Sequence, residues 1–139
     1  MKKILTPMFA LLLVLPLISP AAKTPKETKP AKLTVTQAIE INASTDTVWD
    51  KIKDFNGLNT WHPAVAKSQI VSGKNNQKDA VRLLTLRDGG TIKEKLLRYN
   101  NKGKSFKYSI IEGVLPVSHY VSTIRVKPGK DGGSVVEWF

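Results

Sequence analysis

Apolar and polar residues alternate with a period of two along this chain from Leu33 onward, and this alternation constrains the fold more than any other feature. Successive side chains of a β-strand point to opposite faces, so each alternating run predicts a strand with one apolar face. Short segments rich in Gly, Asn, Asp and Pro separate the runs and favour tight turns. The pattern therefore predicts an antiparallel meander of six or seven strands, at residues 33–41, 67–72, 80–87, 91–99, 105–112, 119–126 and 134–139.

Two short helices are predicted between the first strand and the second. Ser44 or Thr45 offers an N-cap hydroxyl, and Asp46 places negative charge in the first helical turn. Asn56-Gly57 is expected to end this helix, and a second short helix or turn is expected to stop at His62-Pro63. The apolar face of the first helix consists of Val48, Trp49, Ile52 and Phe55.

The first 32 residues are not expected to belong to the folded domain. Lys2 and Lys3 precede an apolar run from residue 4 to 17, and small residues at Ser19 and Ala21 match a signal-peptidase site. The run is shorter than the about 20 residues that a membrane span needs. We interpret residues 1–21 as a signal peptide cleaved near Ala21, with a retained anchor as the alternative, and residues 22–32 as a flexible basic linker. Export to the periplasm follows from this interpretation.

The charge and cysteine content narrow the classes of function. The chain has no cysteine, which excludes disulfides, thiol catalysis and cysteine-ligated metals. Its two histidines, His62 and His119, are far apart and form no metal motif, so no metal or other cofactor is predicted. The formal net charge is +11, and in an exported protein this favours acidic protein partners or anionic membrane surfaces over nucleic acid. Solubility alone is the competing explanation of the charge.

The last residues interrupt an apolar strand. The sequence ends at Val135-Val136-Glu137-Trp138-Phe139, and two small helices leave one face of such a sheet short of cover. We therefore expect that the domain at 33–139 lacks a C-terminal closing helix and is incomplete.

Several motifs resemble one superfamily. The combination of a strand, two short helices and a meander is similar to the helix-grip fold of START and Bet v 1-like proteins. The residues that carry the resemblance look like the polyketide cyclase/dehydrase-like group, and within it they are most similar to the exported MxaD-type proteins encoded beside methanol dehydrogenase genes. These motifs are VWDKIKDF at 48–55, WHPAV at 61–65, DGGTIKEKLL at 88–97, YSIIEGVLPVSHY at 108–120 and VEWF at 136–139.

The resemblance implies an α+β helix-grip fold in which a curved antiparallel sheet and a C-terminal helix enclose a cavity. It implies no settled catalytic residues, and for MxaD-type proteins a role in the contact between methanol dehydrogenase and its cytochrome c acceptor. The predicted function is therefore that of a periplasmic, non-enzymatic accessory protein of methanol oxidation. The alternative is a periplasmic carrier or sensor of a hydrophobic small molecule or lipid.

The inward face of the predicted sheet supplies the cavity candidates. Ile92, Glu94 and Leu96 share a face, and a carboxylate among apolar neighbours must be paired, hydrogen-bonded or protonated. Glu94 is interpreted either as an orienting group for a ligand or as a structural hydrogen-bond partner of Tyr108 or of a side chain on a neighbouring strand. The same periodicity is also typical of a plain filled core. The candidates are Trp61, Glu94, Tyr108, Glu112, Tyr120 and Ser122.

The two carboxylates of the inward face, Glu94 and Glu112, do not by themselves predict catalysis. Glu94 and Glu112 on adjacent strands would suit acid–base chemistry, but no set of nucleophile, base and orienting group accompanies them.

On the outward face, five cations are predicted to gather into a basic patch that attracts an acidic redox protein. A solvated lysine face is the competing interpretation. These cations are Lys93, Lys95, Lys107, Arg125 and Lys127.

Overall fold

The computed structural model describes residues 32–139, in which seven strands form one antiparallel sheet. The order of the strands is β1-β7-β6-β5-β4-β3-β2, so the first strand returns to lie beside the last. This confirms the predicted curved meander of an α+β helix-grip fold. The predicted signal peptide and nearly all of the linker lie outside the described residues. The strands are β1 Gln37–Ile41, β2 Val65–Ser72, β3 Val81–Leu86, β4 Thr91–Asn100, β5 Ser105–Gly113, β6 Val121–Pro128 and β7 Ser134–Trp138.

The first strand is shorter than the alternation predicts. Pairing with β7 begins at Gln37, which lies opposite Trp138, so residues 33–36 have no strand beside them. Their apolar side chains stay in solvent, with Leu33 89% and Val35 68% exposed. Alternation predicts which face a side chain takes but not where pairing with the neighbouring strand begins.

The two predicted helices follow β1. Helix α1 spans Thr45–Ile52, and the Ser44 hydroxyl accepts a hydrogen bond from the Thr47 backbone N–H at 3.2 Å. A 3₁₀ helix then spans Phe55–Thr60, so Phe55 starts the second helix and does not end the first. The reason is Asp54, whose carboxylate accepts from the Asn56 N–H at 2.9 Å and caps a new start.

Both helices pack on one face of the sheet, called here the inner face. Trp49 of α1 is 3% exposed and Phe55 of the 3₁₀ helix is fully buried. They contact a cluster of strand residues that is made of Leu96, Phe106, Tyr108, Ile124 and Val126. A second, smaller cluster lies beside it and consists of Leu58, Val65, Leu84 and Ile92.

Two β-bulges change which side chains reach the inner face. Between β4 and β5, Lys93 pairs with Glu112 while Glu94 pairs with Ile110, so Ile111 is an extra residue. Leu96 pairs with Tyr108 while Arg98 pairs with Lys107, so Leu97 is a second extra residue. Each extra residue inverts the alternation for the part of its strand that follows.

The prediction that Glu112 points into the sheet cavity is therefore wrong. Without a bulge it would share a face with Tyr108 and Ile110, but the extra residue Ile111 turns it to the outer face. There it is exposed, and its carboxylate lies 2.7 Å from the Lys93 ammonium. Glu94 and Glu112 thus lie on opposite sides of the sheet, and the acid–base pair considered from the sequence does not form.

Candidate ligand cavity and its buried ion pair

A cavity of about 170 Å³ lies on the inner face, between the 3₁₀ helix and strands β3 to β5. For comparison, an apolar cavity of roughly 150 Å³ inside a protein is large enough to admit benzene. The wall is mostly aliphatic and one end is polar. The aliphatic wall is formed by Leu58, Val65, Leu84, Leu86, Ile92, Ile110 and Leu115, and the polar end by His62, Glu94, Tyr108, Tyr120 and Trp138.

A buried ion pair forms part of the polar end. Arg82 of β3 lies opposite Glu94 of β4 in the sheet register, and the two residues are only 1% and 4% exposed. The Nε and Nη2 atoms of Arg82 donate to Oε2 of Glu94 at 2.7 and 2.5 Å. Such a pair offsets the cost of burying both charges only when good geometry and further hydrogen bonds accompany it.

The surroundings of Arg82 supply those further contacts. Its Nη1 donates to the backbone carbonyl of Phe55, and its guanidinium carbon lies 4.1 Å from the centroid of the Phe55 ring. The Tyr108 ring centroid lies at 5.5 Å. A guanidinium is well suited to this position because it combines a planar fork of donors with faces that stack on aromatic rings.

Burial sets the protonation of the groups around the cavity. It raises the pKa of the Glu94 carboxyl above its ordinary value, and the Arg82 charge and hydrogen bonds oppose that rise. Burial, together with the Glu94 charge, also raises the pKa of the Tyr108 phenol. Tyr108 therefore remains a neutral phenol, and its oxygen accepts from the Trp138 indole N–H at 3.1 Å.

Arg82 was missed by the sequence analysis although it anchors the site. The signal was present, because Ala80, Arg82 and Leu84 share a face on β3 and the flanking two are buried. An arginine among inward-facing apolar residues, one strand away from an inward-facing glutamate, is expected to pair with it. That comparison across strands identifies Arg82 as the partner of Glu94.

Three of the six cavity candidates line the cavity: Glu94, Tyr108 and Tyr120. Ser122 is buried at 3% exposure but lies away from the cavity, with its hydroxyl donating to the Phe139 carbonyl at 3.1 Å. Trp61 packs against both apolar clusters, and its indole N–H has no hydrogen-bond partner among residues 32–139. Glu112 lies on the outer face.

His62 lies in the cavity wall as a neutral side chain. Its Nδ1 accepts from the Ala64 backbone N–H at 3.3 Å, and its ring lies 5.8 Å from that of Trp138. Burial, with a smaller contribution from the Arg82 charge, lowers the pKa of the imidazole. Protonation of Nδ1 would also remove the hydrogen bond from Ala64.

The outer face carries most of the predicted basic patch in ion-paired form. Lys93 lies 2.7 Å from Glu112 and Lys95 lies 2.9 Å from Asp79. Arg125 and Lys127 both pair with Glu137, and hydrogen bonds from Lys127 and Arg125 lower the pKa of that carboxyl. Lys107 is the predicted patch residue without a carboxylate within 4 Å among residues 32–139. Four of the five cations of the predicted patch are therefore ion-paired, and this face is less positive than the sequence predicts.

Two further findings concern only the described part of the chain. Within residues 32–139, no three His, Asp or Glu side chains lie close enough together to hold a metal ion. The same residues contain no helix with the length and apolar content required to cross a membrane.

The fold is similar to several solved structures. The protein XoxI from Bacillus cereus matches with a TM-score of 0.69 and 39% identity over 75% of this chain and 70% of its own. An uncharacterized protein from Bacillus thuringiensis matches with a TM-score of 0.69 and 40% identity over 75% of this chain and 73% of its own.

A more distant match, at the level of the fold, is ginseng major latex-like protein 151 from Panax ginseng. Its TM-score is 0.64 with 15% identity, over 75% of this chain and 74% of its own. The family model described as "Polyketide cyclase / dehydrase and lipid transport" matches residues 32–139. The sheet, the helices and the sequence all agree with this family model. The chain therefore belongs to the polyketide cyclase/dehydrase and lipid transport family.

Proposed function

We propose that the inner-face cavity binds a small, largely apolar molecule that carries one hydrogen-bond donor, and that Glu94 orients it. The observation that carries the proposal is the position of a buried carboxylate in the mostly aliphatic wall of a cavity of about 170 Å³. A few polar groups at fixed positions in an apolar pocket are typical of small-molecule sites.

One oxygen of Glu94 is free for a ligand. Within residues 32–139, the hydrogen bonds and ion pair of Glu94 all involve Oε2, which Arg82 holds. The other oxygen, Oε1, is left to accept from a hydroxyl or amine of the bound molecule. Arg82 thus acts as a positioning residue that holds the carboxyl group in a fixed orientation.

The proposed function is binding of the ligand without a catalysed reaction. The polar end of the cavity contains one carboxylate, two tyrosines, a histidine and a tryptophan, and Glu94 is committed to Arg82. The residues that line the cavity include no serine, threonine, cysteine or lysine that could act as a nucleophile beside a base. Turnover of a polyketide-like substrate by the purified protein would contradict this form of the proposal.

The test compares p-cresol with toluene, which differ by one hydroxyl. We expect p-cresol to bind about tenfold more tightly, because its hydroxyl donates to Glu94 while toluene leaves that acceptor unpaired. Isothermal titration calorimetry and quenching of tryptophan fluorescence measure both, since Trp138 lines the cavity.

Two neighbouring isoleucines provide a matched control. Ile110 lines the cavity, whereas Ile111 is the extra bulge residue and is 52% exposed. Ile110→Phe is expected to abolish binding by filling the space, and Ile111→Phe to leave it intact. Equal binding by both variants, or no binding of either probe to the wild type, would refute the proposal.

A second candidate function is the predicted accessory role at the contact of methanol dehydrogenase with its cytochrome c acceptor in the periplasm. It is supported by the MxaD-type resemblance, by the net charge of +11 and by the unpaired Lys107. Charge reversal at Lys93, Lys95 and Lys107, or added salt, is then expected to weaken binding to one of these proteins. Insensitivity to both treatments would count against this role. Mass spectrometry of protein recovered from the periplasm would test export and cleavage near Ala21.

A further inference from the structure

A second concave region lies on the outer face of the sheet, across strands β4, β5 and β6. It has a volume of about 320 Å³. It is lined by three cations, by polar residues and by two further residues: Arg98, Lys107 and Arg125, then Asn100, Ser105 and Thr123, then Gly103 and Phe106. Small residues beside long cationic side chains leave room for a depression.

The bulge at Leu97 creates this arrangement. Unbroken alternation along β4 would place Arg98 on the inner face beside Leu96, but the extra residue turns it outward. There Arg98 pairs with Lys107 in the register, Lys107 pairs with Thr123 on the next strand, and Ser105 pairs with Arg125. Cationic side chains from three neighbouring strands therefore lie on the same part of the outer face.

Two of the three cations of this region have no carboxylate partner among the described residues. Among residues 32–139, neither Arg98 nor Lys107 has a carboxylate within 4 Å, although Lys93 and Lys95 on the same face are both paired. Arg125 is paired with Glu137, yet it uses Nε and Nη2 for that contact and leaves Nη1 without a hydrogen bond among those residues. Uncompensated cations side by side repel each other and favour a bound anion.

We propose that this outer-face depression binds a compact anion that carries phosphate groups. Arginine and lysine donors, with the hydroxyls of Ser105 and Thr123 and the Asn100 amide, match the several acceptor oxygens of a phosphate. The site lies on the opposite side of the sheet from the cavity, so it is independent of the proposed apolar ligand.

Inorganic pyrophosphate is the probe, titrated by isothermal calorimetry at low ionic strength. The variant Arg98→Gln with Lys107→Gln is expected to weaken binding by at least about tenfold, because two charge-assisted contacts are lost. Ser105→Ala, which changes no charge, is expected to weaken binding by about threefold through loss of one hydroxyl.

A variant of equal charge provides the control. Lys67 and Lys74 are exposed and lie on or after β2, which is separated from β5 by two strands. Lys67→Gln with Lys74→Gln is expected to bind pyrophosphate as the wild type does. Equal weakening in both double variants would show that only overall charge matters and would overturn the site, as would absence of wild-type binding.

The source of the phosphate is separated by two further arms. Capture by phosphatidic acid vesicles, absent with phosphatidylcholine vesicles and reversed by pyrophosphate, assigns the site to a lipid headgroup. Binding of pyrophosphate without vesicle capture assigns it to a soluble phosphate compound. Binding of polyglutamate through Arg98 and Lys107, with no binding of pyrophosphate, would overturn the proposal in favour of an acidic protein surface.

Discussion

The inner face of the sheet has a filled half and a hollow half. In the filled half, aromatic rings from the helices and strands pack together, with Phe55 and Trp49 lying 6.0 and 6.2 Å from Phe106 between centroids. In the hollow half, the buried aliphatic residues beside the cavity are Leu58, Val65, Leu84 and Ile92, and only Leu58 comes from a helix. The difference indicates that aromatic side chains from α1 and the 3₁₀ helix fill one half, whereas in the other half Trp61 and Trp138 lie at the side of a space that they leave open.

The ion pair lies at the boundary of the two halves. Arg82 stacks on Phe55 of the filled half, whereas Glu94 lines the hollow half. The Arg82 guanidinium is thus held by packed side chains, whereas the Glu94 carboxyl group faces the cavity. By this division, the filled half supplies stability and the hollow half supplies ligand binding. Substitutions in the two halves are therefore expected to lower the free energy of unfolding by different amounts.

The largest effect is expected from breaking the pair. Glu94→Leu leaves the Arg82 charge buried without a partner and is expected to cost about 3–5 kcal/mol of unfolding free energy. The double variant Arg82→Met with Glu94→Leu, which removes both charges, is expected to recover most of this loss. Urea denaturation measures both, and an equally unstable double variant would show that packing around Arg82, not its charge, is what matters.

A smaller effect is expected from truncating one leucine in each half. Leu96→Ala in the fully packed half is expected to cost about 3–4 kcal/mol, since neighbours cannot collapse into the space. Leu84→Ala at the cavity wall is expected to cost about 2 kcal/mol, because Leu84 already lacks contacts on one side. Denaturation compares their free energies, and equal costs would contradict the division into halves.

A weaker effect is expected from the protonation of His62. The folded protein lowers the pKa of this side chain, so the unfolded chain takes up a proton first as the pH falls through about 6.5. The free energy of unfolding is therefore expected to decrease as the pH is lowered from about 7.5 to about 5.5. The decrease is expected to be smaller in His62→Gln. Thermal unfolding across this range is the measurement, and an identical slope in the variant would assign the effect elsewhere.

The smallest effect is expected on the outer face. Lys93 is 38% and Glu112 69% exposed in their side chains, so Lys93→Met is expected to change the unfolding free energy by about 1 kcal/mol or less. Added salt should reduce even this difference. A loss of unfolding free energy as large as that of Leu96→Ala would contradict the expectation that this exposed ion pair contributes little to stability.

The sequence was sufficient for the architecture and for part of the site. Period-two patterns predicted the meander and the inward position of Glu94, Tyr108 and Tyr120, because alternation reports faces directly. It did not predict the outward position of Glu112, since a bulge depends on the register between two strands. Nor did it predict the ion pairs of Lys93, Lys95, Arg125 and Lys127, because pairing joins residues from different strands and turns.

The bulges have a consequence for insertions and deletions in this sheet. Removal of one residue from a strand normally exchanges the two faces for everything beyond it, which moves core side chains into water. Leu97 and Ile111 are different, because each is already the surplus residue at its point in the ladder. Deletion of either would restore a regular ladder and leave Arg98, Glu112 and their neighbours facing as they do now. These are the two places in β4 and β5 where one residue could be lost without exchanging the two faces of the strand.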